Sequence, residues 1–415
     1  MRIAFVAGGF PLISETFILN QITGLIDLGH EVDIFARRSS PDRAVHPEVE
    51  QYGLLSRTHW FNLPRTRWKR VTRAVATFLR ALPRHSVAML RCLNLYRYGS
   101  FYAVLNNVMH APPFLTGKYD VVMCHYGGNG ADFIFLKDLL PHLKFVTMFH
   151  KGDILLGDER GPAVYRRLPL QGDAFLAICE SWNRRKLLEF GFDPERIRLH
   201  PIGVDVRHIP FRARAPRDHH FDILTVARLH PEKGIEHGLR AVAALARRRP
   251  SVGVRYRIIG DGEDGGRLRL LTKTLGLGHV VEFLGPLSTP DVMDWMHASD
   301  VFLLPSLAEG TPTALLEAQA TGLPIVATDV GGVRDIVQPR AGFVVEAADS
   351  DALTDKLVQL VDHPERWPEM GRIGHRFVAE HHDIVELNAR LARLMESLVR
   401  GPVRTDVAES VRPRG

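Results

Sequence analysis

This 415-residue chain predicts two doubly wound, Rossmann-like α/β domains facing each other across a cleft. Short apolar runs that read as buried strands alternate with helical stretches along almost the whole length, which argues for parallel sheets covered by helices. A polar break rich in arginine at residues 212–220 divides two such series of similar size. Length points the same way, because one hydrophobic core does not serve a chain this long. Two such sheets joined by one linker leave a cleft between strand carboxyl ends, where these sheets bind ligands.

The first series opens with a strand at 3–7, the turn Gly8-Gly9-Phe10-Pro11, a helix over about 14–28 and a second strand at 31–36. Ser14 is placed as the helix N-cap and Glu15 in its first turn, where negative charge is favoured, and Gly29-His30 ends it. Residues 66–110 read as amphipathic helices, and strands follow at 120–124, 144–149 and 174–178. The second series places strands at 222–227, 255–260, 280–284, 301–304, 324–328 and 342–345. Domains are therefore expected at 1–212 and 221–382, with a linker at 213–220. A helix over about 383–399 is expected to pack back on the first domain, and a frayed polar tail occupies 401–415.

Hydrophobic residues make up 45% and charged residues 24%, the balance of a soluble globular protein. Three widely spaced cysteines, Cys92, Cys124 and Cys179, fit a reducing cytosol without disulfides, and no Cys/His cluster points to a metal. The apolar start reaches Glu15 without a cleavage site and reads as a buried strand rather than a secretion signal. No apolar stretch approaches the ~18 residues that span a bilayer. The net charge of +6 hides an asymmetry. Residues 51–119 contain no Asp or Glu but eleven Lys or Arg, so the rest of the chain is net acidic. The basic stretch 57–97 carries Trp60, Trp68 and Phe78 among its arginines. It reads either as a solvated helical face or as a docking surface for the anionic inner leaflet of a plasma membrane. Nucleic acid is disfavoured, since no recognition motif accompanies the charge.

The most informative segment is Glu309-Gly310-Thr311-Pro312-Thr313-Ala314-Leu315-Leu316-Glu317. A strand precedes it, and a helix with Pro312 near its first turn follows. Two carboxylates then flank a free helix N-terminus, which suits a ligand carrying both hydroxyls and phosphate. Arg228 and Lys233 sit five residues apart across a proline turn at the same sheet end, where a fork and a point charge suit a diphosphate. Gly260-Asp261-Gly262-Glu263-Asp264-Gly265 matches a dinucleotide fingerprint, but its acids would repel a pyrophosphate. A glycine turn used for geometry alone, without a nicotinamide cofactor, is the better reading.

These motifs, with Phe283-Leu284-Gly285, Pro305-Ser306 and Gly322-Leu323-Pro324-Ile325-Val326-Ala327, resemble the retaining glycosyltransferases of family 4, which have the GT-B fold. In the amino half, Phe10-Pro11, Ser14-Glu15-Thr16-Phe17-Ile18 and His125-Tyr126-Gly127-Gly128-Asn129-Gly130 resemble the branch that builds bacterial exopolysaccharides such as colanic acid. The resemblance implies a nucleoside-diphosphate sugar as donor, a glycan or lipid-diphosphate-linked acceptor, and neither cofactor nor metal. It implies that Arg228 and Lys233 hold the diphosphate, Glu309 the donor hexose and Glu317 the ribose. The backbone of 310–315 would meet phosphate and sugar, and the segment around Leu287 would line the base. His150 matches the family's active-site histidine. The family's His-Gly-x-Asp reads His150-Lys151-Gly152-Asp153 here, so a cation has entered and the glycine has moved. Gly9 would let backbone approach the donor, or simply make a turn. Glu15, His125 and Asn129 are assigned to the acceptor side. A nucleotide-sugar epimerase and a non-catalytic binding subunit on the same fold stay open as alternatives.

Overall fold

The protein is described by a computed structural model covering residues 1–12, 15–39, 46–215 and 220–401. Its first sheet contains β1 (Arg2–Phe10), β2 (Glu31–Ser39), β3 (Thr58–Trp60), β4 (Val121–His125), β5 (Lys144–Phe149), β6 (Ala174–Ala177) and β7 (Ile197–Leu199). Their order is β3-β2-β1-β4-β5-β6-β7. The second contains β8 (His220–Val226), β9 (Gly253–Ile259), β10 (Val281–Gly285), β11 (Val301–Leu304), β12 (Ile325–Thr328) and β13 (Gly342–Val345), in the order β10-β9-β8-β11-β12-β13. Every pairing is parallel. Strand order reverses beside β1 (against β4) and beside β8 (against β11). Loops leave such switch points in opposite directions and open a crevice at the carboxyl ends.

The strands are apolar on both faces because both faces are covered. Ile3, Phe5, Ile34 and Met123 belong to one core of the first domain, while Ala4, Val6, Phe35 and Val122 belong to the other. Consecutive residues thus bury in opposite directions, as the two-residue strand period demands.

Several boundaries differ from the sequence reading. β1 runs on through Gly8 and Gly9, and Gly9 pairs with Arg38, so these glycines form strand rather than turn. β3 and β7 were not expected; each has three residues, too few for a period to show. His220 opens β8 instead of closing a linker. Glu15 is the N-cap of α1 (Thr16–Asp27) and not part of its first turn, while Ser14 lies outside the described residues, as do 216–219 and 402–415.

The helices that position the site are α1, α2 (Arg67–Cys92), α3 (Gly127–Phe133), α4 (Lys151–Arg160), α5 (Thr313–Ala320) and α6 (Ile384–Arg400). α6 lies on the first domain: its Leu391 and Met395 share a core with Ile18, Leu19 and Ile22 of α1. Asn388 Nδ2 donates to Asn20 O at 3.0 Å. Just before α6, Val204 N–H donates to His382 O and Ile384 N–H to Val204 O, so the two crossings between domains brace each other.

Candidate active site

On the second domain, Glu309 stands in the loop joining β11 to α5, 6% exposed. Lys233 closes the short turn Pro231–Lys233 after β8. Its Nζ donates to both Glu309 oxygens, at 2.7 and 2.8 Å, and Ser306 Oγ donates to Oε1 at 2.7 Å. Burying a carboxylate this deeply is costly without such partners. Ser306 was quoted within its sequence motif but given no role, since a strand-end serine usually serves only the turn. Arg228 is exposed and has no ion-pair partner among the described residues.

α5 begins at Thr313 behind Pro312, which has extended backbone. Leu315 N–H is already bonded to Pro312 O, and its side chain is fully buried. The backbone N–H groups of Gly310, Thr311, Thr313 and Ala314 have no backbone partner among the described residues and can meet an anion. Thr311 Oγ1 is buried and lacks a partner among the described residues. Glu317, one turn on, lines a cavity of about 550 Å³ between the domains, along with Thr313, Met293 and, from α1, Thr16, Phe17 and Asn20. Burial raises the pKa of the Glu317 carboxyl. Leu287 lies on the loop after β10, half-buried against the core that holds Leu304, Leu315 and Leu316.

His150 is the N-cap of α4, 7% exposed, with its N–H donating to Asp153 Oδ2 at 2.9 Å. The moved glycine therefore leaves the helix start intact, and Asp153 secures it. Burial pushes the Asp153 carboxyl up to about 7, against hydrogen bonds from backbone N–H groups including those of His150 and Gly128. The new cation has a definite place: Lys151 Nζ reaches Glu232 in the Lys233 turn and donates to Ala308 O at 3.2 Å. Ser181 N–H donates to Asp335 Oδ2 at 2.8 Å. These contacts tie the ends of β5 and β6 to the donor loops, 81 or more residues away in sequence.

The acceptor-side assignments separate. His125, assigned to the acceptor side, ends β4 fully buried beneath His150 and stacked on Phe5 at 4.9 Å, so its ring supports the His150 ring. Asn129 Nδ2 donates to His125 O at 2.8 Å, and Asn129 lines a cavity of about 360 Å³ with Gly8, Arg38, Tyr126 and Gly128. Glu15 Oε1 accepts from Tyr126 OH at 2.7 Å, and its buried Oε2 has no partner among the described residues. Burial raises the Glu15 pKa against that hydrogen bond and the charge of Arg38. Tyr126, at φ +73° and 4.8 Å from the His150 ring, was quoted in its motif without a role, because its backbone conformation is not written in its residue type. Gly9 lies beside the Leu12 side chain.

The dinucleotide-like loop is occupied by the chain itself. Leu229 N–H donates to Asp261 O and Asp264 N–H to Leu229 O, both at 2.9 Å. A Cβ on Gly262 would sit 2.3 Å from Leu229 O, so this glycine serves loop packing. Among the described residues no group of three or more His, Cys, Asp or Glu is placed to hold a metal ion. No helix among them is long and apolar enough to cross a membrane.

Residues 14–208 match the family model for Glycosyltransferase Family 4, and residues 220–363 match that for glycosyl transferases group 1. Across 96% of this chain, 32% of residues are identical to WcaL of Salmonella typhimurium, a glycosyltransferase named for colanic acid biosynthesis and covered in full. The amylovoran biosynthesis glycosyltransferase AmsK of Erwinia amylovora is 29% identical over 87% of this chain and 90% of its own. The solved structure of Anabaena HepE with UDP has the same fold, with a TM-score of 0.71 at 18% identity over 96% of this chain and all of that one. Two facing Rossmann-like domains of this kind are the GT-B fold. The chain belongs to glycosyltransferase family 4.

Proposed function

We propose that the protein is a retaining glycosyltransferase that moves a hexose from a UDP- or GDP-sugar to a glycan or lipid-diphosphate-linked acceptor during exopolysaccharide assembly. One observation carries this reading: Lys233 and Glu309 are held together at the open N-terminus of α5, facing the first domain. A diphosphate meets Lys233, Arg228 and the Thr313 and Ala314 N–H groups, while Glu309 accepts from sugar hydroxyls. The names of WcaL and AmsK support the exopolysaccharide setting, and UDP in HepE supports the donor class.

In the reaction the anomeric C–O bond to the β-phosphate breaks and the acceptor oxygen bonds the anomeric carbon on the same face. The acceptor proton passes to the departing phosphate oxygen. Negative charge grows on that phosphate, where Arg228, Lys233 and the helix end stabilise it without requiring a divalent ion. Screening UDP- and GDP-sugars for thermal stabilisation and acceptor-dependent release tests the proposal, because a ligand of the folded state raises Tm by mass action. Stabilisation by neither series would sink it. A covalent sugar adduct trapped on Glu309 would replace the front-face route by double displacement.

The acceptor's lipid supports membrane docking through the basic segment. α2 exposes Trp68 (82%), Leu79 (61%) and Leu90 (58%) among its arginines, and Tyr96 beyond it is fully exposed. Trp60 does not belong to this surface: its Nε1 donates to Phe10 O at 3.0 Å and it packs on the core. Phe78 also packs inward. We expect flotation with anionic vesicles and not with neutral ones, and replacement of Trp68 and Leu79 by Ser should weaken it. Equal, negligible flotation with both vesicle types removes the membrane claim.

A further inference from the structure

Four buried polar side chains run in a row beneath the cleft. His150 Nε2 lies 3.1 Å from His125 Nδ1, His125 Nε2 lies 2.9 Å from Gln21 Oε1, and Gln21 Nε2 lies 3.3 Å from His200 Nε2. They come from four places in the first domain: the start of α4, the end of β4, the middle of α1 and the residue after β7. None is more than 7% exposed, and none is in an ion pair among the described residues.

The direction of every bond in this row follows from Gln21. Its Nε2 also reaches Met148 Sδ at 3.5 Å, and a thioether can only accept. The amide NH₂ therefore faces Met148 and His200, and the carbonyl oxygen faces His125. An oxygen accepts, so His125 carries its hydrogen on Nε2. Burial holds all three rings neutral, with His125 well below the usual histidine range, His150 down to about 3 and His200 to about 4. A neutral imidazole has one hydrogen. His125 Nδ1 is then bare and accepts from His150 Nε2–H, which leaves the lone pair of His150 on Nδ1. His200 accepts at Nε2 and carries hydrogen on Nδ1. Turning the Gln21 amide over would reverse every hydrogen in the row and set an oxygen against the sulfur.

We propose that Gln21, His125 and His200 are positioning residues that hold His150 in one neutral tautomer, hydrogen on Nε2 and lone pair on Nδ1, for glycosyl transfer. Phe17 and Tyr126, each 4.8 Å from the His150 ring, restrict its rotation. A hydroxyl that meets this lone pair must donate, so His150 orients a ligand and does not carry a proton through the row. The role in transfer rests on the donor-cleft reading above; the tautomer does not.

Imidazole ¹⁵N NMR of the full chain tests this, with His150 and His125 signals assigned from H150Q and H125Q. The expected spectrum shows His150 protonated on Nε2 at neutral pH. Gln21→Met removes the fixed carbonyl at similar volume. It should mix the His150 tautomers and lower the transfer rate about tenfold while donor KM stays nearly constant. In a His150→Ala background, Gln21→Met should cost nothing further. A His150 spectrum and rate unchanged by Gln21→Met, an Nδ1-protonated His150, or a multiplicative loss in the double variant would each overturn the proposal. If Gln21→Met fails to fold, Gln21→Leu also removes the fixed carbonyl and is read in the same way. A parent protein without transfer activity would defeat the donor-cleft reading, while the NMR arm would still decide the tautomer.

Discussion

Lys233→Ala is expected to lower glycosyl transfer by about 10²–10³-fold, the loss typical when a preorganised group facing developing charge is removed. Lys233 is the residue through which the two donor elements meet. Its Nζ bonds both oxygens of Glu309, and its turn sits beside Arg228 and against the Glu309 loop, where Leu307 N–H donates to Glu232 O at 2.7 Å. Removal deletes a cation at the leaving phosphate and also leaves the 6%-exposed Glu309 carboxylate with only Ser306. The second effect leaves a buried acid without its main partner and free to turn, which weakens its grip on sugar hydroxyls.

Stability should suffer less than activity. Breaking a fully buried ion pair costs about 3–5 kcal/mol, but the Lys233 side chain keeps 18% exposure and water can enter after truncation. Lys233→Arg should recover part of the rate, because charge is retained while the point geometry is lost. Initial rates with the stabilising donor, and Tm for each variant, provide the check. Lys233→Ala with near-parent turnover would remove this residue from the chemistry.

The part of the candidate site on the second domain was legible because its residues lie in contiguous motifs. Glu309 and Glu317 share an eight-residue interval, and Lys233 follows a readable strand. The apolar strands were legible too, since burial on both faces leaves long hydrophobic runs. What escaped depends on contacts between distant segments. Lys151 looked like a disturbance of a motif until its partners, Glu232 and Ala308, came from the other domain. His125 had the residue type of a ligand contact, and only three-dimensional packing under Phe5, Phe17 and His150 shows it buried. Trp60 shared a basic neighbourhood with Trp68, but the short strand β3 turns it inward.

Gly331→Ala should impair both stability and transfer although residue 331 carries no functional group. It lies in the loop after β12 at φ +58°, a left-handed backbone that costs a residue with Cβ about 1–2 kcal/mol. A Cβ there would stand 2.1 Å from Glu309 O and 3.0 Å from Gly310 O. Both atoms are backbone, so no flexible side chain can yield; the Glu309 loop itself must move. The neighbouring Gly332 N–H donates to Gly310 O at 2.8 Å, so this displacement also strains the bond that anchors the loop. Shifting a positioned group by about 1 Å costs on the order of 10²-fold in rate, and each kcal/mol lost lowers Tm by about 2–4 °C for a domain of this size. Melting curves and donor-dependent rates of Gly331→Ala measure the two effects separately. A variant that melts with the parent and transfers at the parent rate would show that the Glu309 loop tolerates movement, and the tight backing of Glu309 would then have no bearing on catalysis.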